Sequence, residues 1–137
     1  MKTKEEKPAV EILKGTETVL LVDDEDIILD VGQEILKEMG YKVLLARSGK
    51  EAVEVYNKHK DEIYIVILDR VMPDMGGGED YDIMKEINPE VKVLLSSGYS
   101  IDGEATEILA RGCDAFIQKP FKRKDLSEKI REILDNK

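Results

Sequence analysis

Five short apolar runs punctuate a chain otherwise rich in charge: TVLLV at 18–22, KVLLA at 42–46, IYIVIL at 63–68, VKVLL at 91–95 and AFI at 115–117. Each is continuous rather than alternating, as strands covered on both faces are, so all five read as central, parallel strands. Helical spacing fills the intervals. Ile28, Val31, Ile35 and Met39 recur on one side of a helix that Gly40 stops, and SGKE at 48–51 has the form of a capping box opening a second helix. A third helix is expected from near Gly78, a fourth from near Ile101 to Gly112, and a fifth with Leu126, Ile130, Ile133 and Leu134 on one face.

Strand and helix thus alternate five times. Right-handed crossovers between parallel strands must each cover a sheet face, which gives an open sheet with helices on both sides. No glycine-rich dinucleotide fingerprint follows the first strand, and this favours the order 2-1-3-4-5: an α/β, doubly wound, flavodoxin-like (βα)5 domain. Residues 1–17 are charged and interrupted by Pro8 and Gly15, so they read as an N-terminal tail or linker ahead of a domain at 18–137.

Composition narrows the setting. A chain of 137 residues suits one core, burying roughly 70% of the surface its unfolded form exposes. Its net charge of −9 repels phosphate backbones and anionic lipid, so neither nucleic acid nor membrane is expected as a direct partner. No apolar run is long enough for a membrane span or a signal core, and a soluble, cytoplasmic protein is expected. Cys113 is the sole cysteine, which excludes an internal disulfide; it reads as a small buried residue. His59 reads as a solvated helix-terminal residue rather than a phosphoacceptor, and GGG at 76–78, without a P-loop lysine, as a loop.

In a sheet of this order, ligands bind beyond the carboxyl ends of the strands, near the point where the order reverses. The first run ends in Asp23 and Asp24, the third in Asp69, the fourth in Ser96 and Ser97, and the fifth in Gln118 and Lys119. The first and third strands are neighbours, so the three aspartates converge, and they stay ionised together only beside a cation. Hard oxygen donors of this kind suit Mg²⁺, with Mn²⁺ the alternative. Capping of the first helix accounts for Glu25 and Asp26, but not for Asp23 and Asp24 meeting a third carboxylate and a lysine from other strands.

Taken together, VDDE at 22–25, LDRVMPDMGG at 68–77, LLSSGY at 94–99 and FIQKPF at 116–121 resemble the phosphoacceptor receiver domain of two-component signalling, over residues 18–136. The lead-in GTETVLLVDDE and the segment LLSSGYS resemble, in particular, receivers joined behind a sensor histidine kinase. The resemblance implies that Asp69 accepts the phosphoryl group, that Asp24 binds Mg²⁺ directly, Asp23 mostly through water and Val71 through its backbone carbonyl. It implies that Ser97 contacts the phosphoryl group, chosen over Ser96 because this aligns Gly98 with the family's small residue. Lys119 would pair with Asp69 and then with the phosphate, Ser97 and Phe116 would form the switch, and Lys119-Pro120 would be cis. Val71 and Tyr99 would flank the water that ends the signal. Serine at 97 and phenylalanine at 116 replace the commoner threonine and tyrosine, yet keep the hydroxyl and the ring. The implied partners are a sensor histidine kinase or histidine phosphotransfer domain, and a downstream protein on the face of the fourth helix, fifth strand and fifth helix.

Two other readings share the fold. A phosphatase of haloacid dehalogenase type also uses an aspartyl nucleophile with Mg²⁺, but needs an acid/base aspartate two residues later, where Val71 stands. A flavin carrier needs a hydroxyl-rich phosphate loop after the first strand, where this chain has carboxylates.

Overall fold

The apolar runs form one five-stranded parallel sheet in the order β2-β1-β3-β4-β5. The structure, a computed structural model, describes residues 13–69, 78–98 and 103–135. The strands are β1 (Thr18–Val22), β2 (Lys42–Ala46), β3 (Ile63–Asp69), β4 (Val93–Ser97) and β5 (Ala115–Gln118). The helices are α1 (Asp26–Glu38), α2 (Gly49–His59), α3 (Glu79–Ile87), α4 (Gly103–Ala110) and α5 (Arg123–Asp135). The expected (βα)5 alternation and strand order are therefore observed. Among the described residues no helix is long and apolar enough to cross a membrane.

Successive strand residues point to opposite faces, and this divides the interior into two cores. Leu20, Val22, Val66, Leu68, Val93 and Leu95 meet Tyr56 of α2, Tyr81 and Met84 of α3 and Ile108 of α4. On the other face Leu21, Ile65, Ile67, Leu94 and Ile117 meet Leu29, Ile35 and Leu36 of α1 and Leu126, Ile130 and Ile133 of α5. Each such aliphatic side chain contributes about 1.5–3 kcal/mol by leaving water.

Three expectations are corrected. β2 and β5 are edge strands, and Val43, Leu44 and Leu45 are only half-buried, because an edge strand has a neighbour on one side alone. β4 runs two residues later than its apolar run: the ladder pairs Asp69 with Ser96 and ends on two serines that hydrophobic patterning does not mark. Val31 is 42% exposed, and the buried stripe of α1 passes instead through Leu29, Gly32, Ile35 and Leu36. Gly32 carries no hydrophobic signal, yet a Cβ there would lie 2.8 Å from Leu21 Cδ2, so glycine lets α1 approach the sheet.

The capping serine behaves as expected: Ser48 Oγ accepts from Glu51 N at 3.0 Å, while Glu51 Oε1 accepts from Arg47 N at 2.7 Å, one residue before the cap. Gly78 precedes α3 with φ +81, and Gly112 ends the turn after α4 with φ +112. His59 pairs with Glu62 at 3.5 Å just before β3 begins, on the sheet edge opposite the strand tips.

The described part of the expected tail is tied to the domain. Gly15 N donates to Met39 O at 3.0 Å, and Lys42 N to Glu17 O at 3.1 Å. Gly40, at φ +98, faces the Gly15 carbonyl so closely that any Cβ would collide with it. Arg131 of α5 grips Glu17 with both terminal nitrogens, at 3.0 and 3.1 Å, and also donates to Tyr41 Oη and Lys14 O. The Arg131 hydrogen bond holds the Glu17 carboxyl below its ordinary pKa. Stability from a lowered carboxylate pKa is complete above the ordinary value and fades as pH falls through the lowered one. We therefore expect Glu17→Gln to lose roughly 1–2 kcal/mol at neutral pH. Urea unfolding should show the gap to the native chain closing in acid; a gap constant with pH would contradict the assignment.

Candidate functional site

β1 and β3 lie side by side although β2 and two helices separate them in sequence, so their tips are where connections diverge and leave a cleft. Asp23 follows β1 directly and Asp69 is the last residue of β3. Leu21 pairs with Ile67, so Asp23 and Asp69, each two residues on, share one sheet face. Asp23 is fully buried: Oδ1 accepts from Glu25 N at 2.9 Å and Oδ2 from Lys119 Nζ at 2.7 Å. Lys119 Nζ also reaches Asp69 Oδ1 at 3.3 Å. Burial opposes the lysine's charge, but Asp23 and Asp69 outweigh it and raise the Lys119 pKa above its ordinary value. The ammonium is thus held protonated between two buried carboxylates.

Lys119 arrives from β5, where its N–H extends the ladder to Ser97 O at 2.7 Å, and the following Lys119-Pro120 bond is cis. Asp24, in contrast to Asp23, is exposed. Asp23, Asp24 and Asp69 each offer an oxygen, and these atoms all lie within 4.8 Å of one another. Three hard donors, one facing solvent, match what an octahedral divalent ion that retains water requires.

The cleft above them has a volume of about 520 Å³ and is lined by Asp24, Glu25, Asp69, Ser97, Lys119 and Pro120, among others. Ser97 lines it and Ser96 does not. Glu25 was expected to serve as a helix cap. Its carbonyl accepts from Ile28 and Leu29, but its side chain makes no capping bond and borders the cleft instead. Asp26, in the first turn, pairs with Arg47 at 2.9 Å. Nothing in the sequence distinguished Glu25 from Asp26 beyond its adjacency to the aspartates.

Phe116 lies away from the cleft, half-buried against the core that α2, α3 and α4 cover. It pairs with Leu95, so Ser97, two residues on, shares its face. The Cys113 thiol is buried and donates to Val93 O, and burial pushes its pKa up to about 12, which leaves it unreactive at neutral pH. Val71 and Tyr99 lie outside the described residues.

The family profile described as "Response regulator receiver domain" matches residues 19–131. The chain is 37% identical over 123 residues to the sensor kinase CckA of Brucella abortus, covering 90% of this chain and 13% of that protein. It is 32% identical over 119 residues to the response regulator SaeR of Staphylococcus aureus, covering 85% of this chain and 50% of that one. It therefore spans half or less of the length of these relatives. Among solved structures, the CheX–CheY–BeF3–Mg²⁺ complex of Borrelia burgdorferi superposes with a TM-score of 0.80 at 28% identity, covering 85% of this chain and 88% of that one.

Removing Lys119's charge should leave two buried carboxylates facing each other. Lys119→Met is expected to cost about 3–5 kcal/mol in metal-free urea unfolding. A variant as stable as the native chain would mean that the ammonium does not hold the strand tips together.

Proposed function

Because the chain belongs to the response regulator receiver family and is thus a phosphoacceptor of two-component signalling, we propose that Asp69 is the residue phosphorylated. The observation that carries this is the contact of Lys119 with Asp69 at the floor of the cleft, with Asp24 and Ser97 on its walls. An Asp69 carboxylate oxygen attacks phosphorus in line. The new O–P bond forms as the bond to the donor's leaving group breaks, and that group departs with the electron pair. Lys119 and the Ser97 hydroxyl offer donors to the phosphoryl oxygens where negative charge collects.

Mg²⁺ is the proposed cofactor, held by Asp24 and Asp69 with Asp23 beside them and Val71's carbonyl as a further ligand. It would neutralise the charge shared by carboxylates and phosphate. The acidic cluster and the Mg²⁺ in the Borrelia complex support it; Mn²⁺ has the same donor preference. The aspartyl-phosphatase alternative finds no support in the family match. The donor we propose is a sensor histidine kinase or a histidine phosphotransfer domain. Ser97 and Phe116, on one sheet face, would then relay the change to a protein partner at the surface of α4, β5 and α5. Residues 1–17 we read as the lead-in from such a kinase, and 18–137 as the receiver.

Intact mass after treatment with acetyl phosphate and Mg²⁺ should show one added phosphoryl group, lost with EDTA and absent in Asp69→Asn. Equal labelling of that variant would place the acceptor elsewhere. The resemblance implies that Val71 and Tyr99 flank the attacking water, where a valine would offer no group to orient it and a tyrosine ring would occupy its place. The double variant Val71→Asn, Tyr99→Glu should therefore lose its phosphoryl group about tenfold faster, a change of about 1.4 kcal/mol in barrier. Unchanged decay would show that these side chains do not gate the water.

A further inference from the structure

Ser96 stands beside the cleft without lining it. It is 1% exposed, and its hydroxyl has no hydrogen-bond partner among the described residues. A buried hydroxyl left unpaired costs stability that alanine would not. Its neighbours in the sheet give it a place in the reaction. Ser96 pairs with Asp69 on one side and Ile117 on the other, so all three point to the face that α1 and α5 cover. Lys119, two residues beyond Ile117, takes the same face.

To bring its ammonium from β5 to Asp69 on β3 and Asp23 at the tip of β1, the Lys119 side chain must cross β4. On that face β4 presents Ser96, level with Asp69 in the ladder, while the register carried one step past Ser97 and Gln118 sets Gly98 level with Lys119. An ammonium has three donors, and two carboxylates engage it here. When Asp69 becomes an acyl phosphate, the negative charge moves outward into the cleft and one of these acceptors is chemically altered. Beside Asp69 in the ladder, Ser96 Oγ is buried, polar and unengaged among the described residues.

We propose that Ser96 is a positioning residue for phosphoryl transfer: its hydroxyl accepts a hydrogen bond from Lys119 once the ammonium leaves Asp23, and so aims the other donors at the phosphoryl group. This rests on the reading of Asp69 as the acceptor. It gives the two adjacent serines different tasks, Ser97 meeting the phosphoryl group and Ser96 holding the lysine that meets it.

The test compares the native chain with Ser96→Ala and Ser96→Thr, using acetyl phosphate and Mg²⁺. The alanine variant should melt no lower than native and bind Mg²⁺ equally well. Its phosphorylation should be about tenfold slower, as for loss of one charge-assisted hydrogen bond. The threonine variant, which keeps the hydroxyl, should recover most of the rate. In the beryllofluoride-loaded native chain the ¹⁵N-detected Lys119 ammonium should be protected from exchange, and in Ser96→Ala it should not. A native rate in Ser96→Ala, or a slower rate matched by a fall in melting temperature or Mg²⁺ affinity, would overturn the role of Ser96. A native chain that takes up no phosphoryl group at all would overturn the assignment of Asp69 itself, and this role with it.

Discussion

A single ammonium group, drawn across the sheet from the fifth strand to the first, is the interaction on which the strand tips depend. Lys119 reaches Asp23 and Asp69 in surroundings that exclude most water, where opposite charges attract strongly and like charges repel as strongly. Without it, two carboxylates at the ends of adjacent strands would face each other uncompensated. The register of the sheet is therefore an electrostatic requirement as much as a packing one. Sliding β5 by one residue would turn Lys119 to the other face and leave the carboxylates without their cation.

The two faces of the sheet carry different parts of the site. Asp23, Asp69 and Lys119 belong to the face shared with α1 and α5, whereas Ser97 and Phe116 belong to the face shared with α2, α3 and α4. They meet only because β4 ends at the cleft. A strand end exposes both of its sides at once, so chemistry at the edge can be felt by two cores that the sheet otherwise keeps apart. On the proposed function, a phosphoryl group on Asp69 would act at the point where the two faces meet.

Much of this was legible in the sequence. Continuous apolar runs separated by helical spacing fixed the alternation, and the absence of a dinucleotide fingerprint singled out the strand order. Carboxylates, a serine and a lysine placed after successive strands then had to share one edge. What escaped has physical reasons. The last two residues of β4 are serines, and ladder hydrogen bonds do not depend on hydrophobicity, so the pattern ended before the strand did. Gly32 packs closely because it has no side chain, and a hydrophobic count gives it no weight, which moved the expected stripe onto exposed Val31. Glu25 and Asp26 are alike in chemistry and adjacent in sequence; only the turn of the backbone into α1 sends one toward the cleft and the other toward Arg47.

The grip of Arg131 on Glu17 fixes the direction from which the chain enters. Gly15 and Glu17 lie against the end of α1 and the beginning of β2, at the pole of the molecule opposite the cleft. α5 spans the distance between the two poles, starting just after Pro120 and ending at the clasp. Anything attached upstream is therefore tethered at the back of the molecule, and its mouth stays open to whatever approaches. Entry and site are thus held at opposite ends of one helix, α5.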